Sequence, residues 1–116
     1  MTPAAMIMNL DRDLAFTGET VTLQRTAIDG STGAITVSDQ VTCPAKIRSY
    51  APQDLAAGDV QDIQVIVSPT GLGAFGVPER DDRIVIRGDT SNIERIRPIY
   101  YGPTVQLVRV DLLCRG

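Results

Sequence analysis

The sequence predicts an all-β domain, a small antiparallel β-barrel with a short helical insert and an N-terminal arm or short helix. Three observations predict it. Val and Ile supply 22 of the 116 residues while aromatic side chains are scarce, a composition suited to pleated, half-buried strands. Ten Gly and seven Pro punctuate the chain with reversals. Between the reversals, apolar residues recur with a period of two over short stretches, about five to seven strands in all, and closing such strands into a barrel removes their edges. A chain of this length builds one core, so residues 1–17 are assigned to the arm and 18–116 to a single barrel domain.

Thr2 and Pro3 form a cap and first-turn proline, and Met6, Leu10 and Leu14 follow at helical spacing, so residues 3–14 form a short docking helix or an extended arm. From Glu19 the period becomes two: Val21 and Leu23 alternate with Thr20, Thr22 and Gln24. IDGSTG turns the chain, Ile35 and Val37 begin a second strand, and Val41, Cys43, Ala45 and Ile47 alternate with Thr42, Pro44, Lys46 and Arg48 in a third. Pro44 cannot donate to a ladder, which places it at an edge or bulge. SYAPQDLAAGDVQ breaks the rhythm; Pro52 opens a helical turn over residues 54–57 that Gly58 closes. Ile63, Val65 and Val67 alternate with Gln64, Ile66 and Ser68, giving a strand covered on both faces. PTGLGAFGVP lacks Gly-Lys-Ser/Thr and opens no helix, so it is no phosphate cradle. A hairpin follows, with Arg83 and Arg87 flanking Ile84 and Ile86 and a turn at Gly88-Asp89; the spacing of Ile93, Ile96 and Ile99 requires a bulge near Glu94-Arg95. The last strand covers 104–113, with Gln106, Val108, Val110 and Leu112 on one face.

Inventory removes several chemistries. The chain has no His, so neither a Ser-His-Asp nor a Cys-His pair nor an imidazole acid-base catalyst can form, and two Cys cannot build a structural zinc site. The acid pairs Asp81-Asp82 and Asp59 with Asp62 sit beside turns among arginines and read as solvated or ion-paired loop acids. No catalytic residue, cofactor or metal ligand is assigned. Cys43 and Cys114 read as small buried hydrophobes of a chain that folds in a reducing compartment, a bridge within the chain or between subunits being the alternative. No stretch is long and apolar enough to span a membrane, and the N-terminus lacks a signal-peptide pattern, so the expected compartment is the cytoplasm. Arg87-Gly88-Asp89 is read as turn chemistry and not as an adhesion motif. A net charge of −3 disfavours a domain that grips nucleic acid over its whole surface.

Within that acidic chain, residues 78–99 hold five arginines and five acids, and ten of the eleven basic residues overall are Arg, the cation suited to forked contacts between surfaces. Arg80, Arg83, Arg87, Asp89, Glu94, Arg95 and Arg97 are therefore the candidate interface residues.

From residue 44 onward the order of pieces is a strand ending PAKIRSY, PQDLAAGDVQ, DIQVIVSPT, a glycine loop, VPERDDRIVIRGDTSNIERIRPI and a last strand ending Arg115-Gly116. This order resembles the head-completion, or stopper, proteins of long-tailed bacteriophages and related gene-transfer particles, most of all in an acid-rich step before I-V-I-R-G and the following I-x-x-I-x-P-I. The resemblance implies a small β-barrel whose copies form a homo-oligomeric, dodecameric ring between the portal-adaptor complex and the tail. Such a ring retains packaged double-stranded DNA and presents the docking surface for tail-terminator or other tail proteins. It implies residence in the host cytoplasm during assembly and then in the virion neck, without a membrane partner. It also places the segment at 51–61 and the strand after it toward the DNA channel, with Gln53, Asp54, Asp59 and Asp62 facing that channel, and makes the Arg-rich hairpin a ring or adaptor contact. Two other readings stay open: a tail-terminator ring protein, and a small β-sandwich enzyme or carbohydrate-binding module, for which the aromatic platform is nearly missing.

Overall fold

The computed structural model describes residues 2–49 and 62–115. Helix α1 (Pro3–Thr17) leads into six strands: β1 (Glu19–Ile28), β2 (Ile35–Ser49), β3 (Asp62–Val67), β4 (Arg83–Ile86), β5 (Asp89–Tyr101) and β6 (Gln106–Arg115). A four-residue helix, α2 (Pro69–Leu72), and a 3₁₀ turn over Gly73–Phe75 lie between β3 and β4. The strands form one antiparallel sheet that closes on itself in the order β1-β2-β3-β6-β5-β4. The expected second and third strands are one continuous β2, because Ser38 is taken up as a one-residue bulge and the ladder to β1 resumes at Asp39. The expected helical insert at 51–61, with Gln53, Asp54 and Asp59, lies outside the described residues, while Asp62 opens β3 opposite Arg115.

The alternation read from the sequence fills the interior. Val21, Leu23, Cys43, Ala45, Val65, Val67, Ile84, Ile86, Ile93, Val110, Leu112 and Cys114 form one buried cluster. Both faces of β3 are covered, since Ile66 on its outer side is buried as well. Pro44 sits where β2 has only β1 beside it, the ladder to β3 beginning at Ala45, so its missing N–H costs no pairing on that free side.

Contrary to expectation, the glycine-rich segment does open a helix. Ser68 caps it, its Oγ accepting from the Thr70 N–H at 3.3 Å, and Pro69 supplies the fixed φ of a first turn. This helix and the 3₁₀ turn drive Leu72 and Phe75 into the core. Across them lies α1, capped by Thr2, whose Oγ1 accepts from the Ala5 N–H at 3.1 Å. Its inward stripe of Met6, Ile7, Leu10 and Leu14 faces the sheet and α2. Thr70 Oγ1 donates to Asp11 at 2.8 Å, and Lys46 pairs with Asp13 at 3.6 Å. Gly18 ends the helix in close quarters: a Cβ there would lie 2.5 Å from the Leu14 carbonyl oxygen and 2.8 Å from that of Ala45.

Strand direction sorts the connections. The β1–β2 and β5–β6 turns and the α2 loop lie at one end of the closed sheet. The β4–β5 turn, the end of β2 and the start of β3 lie at the other. The β4–β5 turn is centred on Arg87-Gly88 and not on Gly88-Asp89, with Ile86 paired to Asp89 and φ of +51° and +85° at the two central residues. Two positive φ values in a two-residue loop match the twist of the flanking strands, and Gly88 adopts its value freely. The last strand begins at Gln106 and runs to Arg115, later than expected, because Val105 belongs to the preceding turn with φ +52°. Ile93, Ile96 and Ile99 are reconciled as expected: the β5–β6 register shifts between Ile93 and Arg95, leaving Glu94 as the extra residue.

Candidate interaction surfaces

One polar cluster is built into the fold. Asp82, 3% exposed, accepts the forked guanidinium of Arg25 at 3.2 and 3.4 Å and the Glu79 N–H at 2.8 Å. Arg25 also donates to the Phe75 carbonyl at 3.3 Å and lies 4.3 Å above the Phe75 ring. Its hydrogen bond to Asp82 holds the guanidinium still more firmly protonated than usual. Together these contacts clamp the β3–β4 loop to β1. Asp82, a nominal catalytic acid by residue type, is thereby occupied as a structural anion.

The expected interface residues fall into three places. Arg87, on the β4–β5 turn, forks onto Glu19 of its own chain at 2.8 and 3.1 Å, with Asp89 exposed beside it. Arg80, Arg83 and Glu94 line an open cleft of about 350 Å³ together with Asp81 and Asn92. Arg95 and Arg97 stand exposed on the outer face of β5.

That outer face is organised by register. One row crosses four strands as Arg48, Gln64, Leu113, Arg95; the next reads Lys46, Ile66, Asp111, Arg97. A shallow depression of about 230 Å³ between them is lined by Gln64, Arg95, Arg97, Asp111, Leu112 and Leu113. Asp111 is occupied by Arg109, whose Nη2 donates to Oδ2 at 2.9 Å while Nε lies 2.8 Å from Oδ1 at an angle too bent for a good hydrogen bond. Arg48, Arg95 and Arg97 have no ion-pair partner among the described residues. The result is a basic wall on a chain of net negative charge. Arg95 and Arg97 were legible from sequence; Leu113 and Gln64 come to lie beside them only through strand pairing, which between β3 and β6 spans more than forty residues.

A second surface has no counterpart among the expected sites. Beyond the stretch where β4 and β3 flank them, β1 and β2 continue as a two-stranded arm, and residues 27–40 are exposed without exception. The pairing slips by one residue at the base: Arg25 faces Asp39 and Thr26 faces Val37, leaving Ser38 unpaired in the ladder, its Oγ donating to the Arg25 carbonyl at 3.1 Å. A one-residue slip exchanges the faces. Ile35 and Val37, in phase with the inward residues of β2, now share the outward face of β1 with Ile28, and these three are 55%, 50% and 74% exposed. At the tip, Asp29 is held below the usual carboxylate range by the Ser31 N–H and then by the Ser31 and Thr32 hydroxyls.

Cys43 and Cys114 are free and buried, and burial pushes their thiols up to about 11 and about 12. Among the described residues, no cluster of three or more His, Cys, Asp or Glu side chains is arranged to hold a metal, and no helix is long and apolar enough to cross a membrane. In comparisons with known proteins, no family model and no curated protein matches this chain.

Proposed function

We propose that this chain is a structural, non-catalytic subunit of a particle neck: a head-completion, or stopper, protein whose closed sheet is a small β-barrel of that family's kind. Copies form a ring between the portal-adaptor complex and the tail, retain packaged double-stranded DNA and offer the surface on which the tail docks. The observation that carries the reading is the order of motifs over residues 44–116. Support comes from the fold, in which that stretch supplies part of β2 and all of β3 to β6 of one closed antiparallel sheet. The side-chain chemistry agrees: Asp82, the most buried acid among the described residues, is tied up by Arg25, and arginines without ion-pair partners among the described residues are presented outward.

In this reading the connection at 51–61, with Gln53, Asp54 and Asp59, and Asp62 after it, faces the channel, where acids let DNA slide by repelling its phosphates. Arg80, Arg83, Arg87, Asp89, Glu94, Arg95 and Arg97 contact neighbouring subunits or the adaptor. Acidic composition suits a conduit, because a basic lining would hold the duplex through many salt-dependent contacts.

The test is particle assembly without the chain. Cells that produce the particle but lack this gene should accumulate packaged heads and separate tails, with DNA lost from the heads, and supplying the chain in trans should restore joining. Normal yields of joined particles in its absence would exclude the assignment.

A further inference from the structure

We infer that the arm of residues 26–40 docks on the basic wall of a second copy of this chain, head to tail. The inference deepens the ring reading above by naming the surfaces that join its subunits, and it rests on that reading only for the number of copies. Charge selects the pairing. The arm carries Asp29 and Asp39, and no cation occurs between Arg25 and Lys46. Asp29 keeps its charge through its hydrogen bonds to Ser31. The wall presents Arg95 and Arg97 without ion-pair partners among the described residues. Its one central acid, Asp111, is already held by Arg109.

Shape agrees with charge. Arg95 and Arg97 edge the depression between β3, β6 and β5, and an arm two strands wide lies along that depression beside them. Leu113 on the floor then meets the apolar face formed by Ile28, Ile35 and Val37, which nothing among the described residues covers. Topology requires the partner to be a different molecule. Around the closed order, β6 lies three steps from β1, on the opposite side of the sheet, so a chain cannot lay its arm on its own wall. Two unlike surfaces on opposite sides of one subunit define a heterologous contact, which repeats from copy to copy and closes into a ring where the rotation permits. The basic wall could also attract DNA, but the arm's acids and apolar face would then remain unexplained.

The experiment uses the purified chain alone, so its failure is separable from failure of the neck assignment. Sedimentation velocity across protein concentration should show self-association that weakens about tenfold or more between roughly 50 and 500 mM salt. An arm variant, Ile28→Glu with Val37→Glu, and a wall variant, Arg95→Glu with Arg97→Glu, should each be monomeric with unchanged melting, since all four side chains are exposed. The milder Arg95→Gln with Arg97→Gln should weaken association in part. Mixed in equal amounts, the two monomeric variants should form a heterodimer and nothing larger, because only one intact arm and one intact wall remain between them. A parent chain that stays monomeric throughout overturns the inference. So does a wall variant that associates as well as the parent, which would indicate arm-to-arm contact or an unrelated surface, and so does DNA binding by the wall with no loss of association on its reversal.

Discussion

The closed sheet and the arm are built from the same two strands, yet they are held in different ways. Within the sheet, Val21 and Leu23 of β1 have β2 on one side, β4 on the other and a filled interior beneath. A few residues on, Ile28 has a single partner strand among the described residues and is largely exposed. Isolated two-stranded hairpins are marginal in water. Alternation alone therefore does not build structure; it must be backed by a second layer, and the same pattern without one becomes a surface available to something else.

The largest expected break in this contrast comes from the sheet side. Ile84→Ala removes a fully buried side chain and should cost about 2–5 kcal/mol in denaturant unfolding, whereas Ile35→Ala on the arm should leave the purified chain nearly as stable as before. Asp82→Ala strips the clamp and leaves Arg25 facing a vacant site beside Phe75. Because Arg25 keeps some solvent contact, a loss of about 2 kcal/mol is expected, below the ~3–5 of a fully buried pair. Asp82→Asn should recover part of it by accepting from the Glu79 N–H.

Alkaline titration sharpens the comparison through the two thiols. In the folded chain they stay protonated to about 11 and about 12, while the unfolded chain releases their protons near 9. The folded state then binds more protons, so stability is complete below about pH 9 and falls as pH rises toward 11, by about 1.4 kcal/mol per thiol for the first full unit. Replacing both by Ala should flatten that slope even though it lowers stability at neutral pH. A thiol reagent should likewise react slowly with the native chain and rapidly in urea. The smallest effect belongs to the arm: Val37→Thr should change the melting midpoint within the range of an ordinary surface substitution, under about 0.5 kcal/mol, while lowering self-association.

Much of the sheet was legible because its residues obey one rule apiece. Val41, Cys43, Ala45 and Ile47 point inward by alternation, Pro44 sits on the free side of β2, and the three isoleucines of β5 announced their bulge. Thr2 and Pro3 likewise announced α1. What failed did so for identifiable reasons. The turn at Arg87-Gly88 was misplaced by one residue because Arg is uncommon at positive φ, and its side chain is held there by Glu19. The helix at Pro69 was hidden by flanking glycines, although the Ser68-Pro69 pair is a serviceable start signal. The candidate surfaces were least legible. Ile35 and Val37 were read only as the start of a strand; their phase continues that of Val41, and a single unpaired serine turns them outward. Arg95, Leu113 and Gln64 become neighbours only once the register is known.

The unpaired Ser38 has a further consequence for what the arm avoids. Residues 34–37, AITV, paired with Thr26-Ala27-Ile28, are a short β-forming pair whose outer edges are open among the described residues, the kind of edge at which chains stack. A bulge bends its strand and increases the local twist, and the charge of Asp39 sits directly against it, so successive copies cannot stack flat and in register. Deleting Ser38 would straighten the ladder while Val37 stayed opposite Thr26, leaving Ile28, Ile35 and Val37 on one outward face without the bend. The chain would then carry a flat, sticky edge, and its solubility at rest would depend on the loss of one small residue.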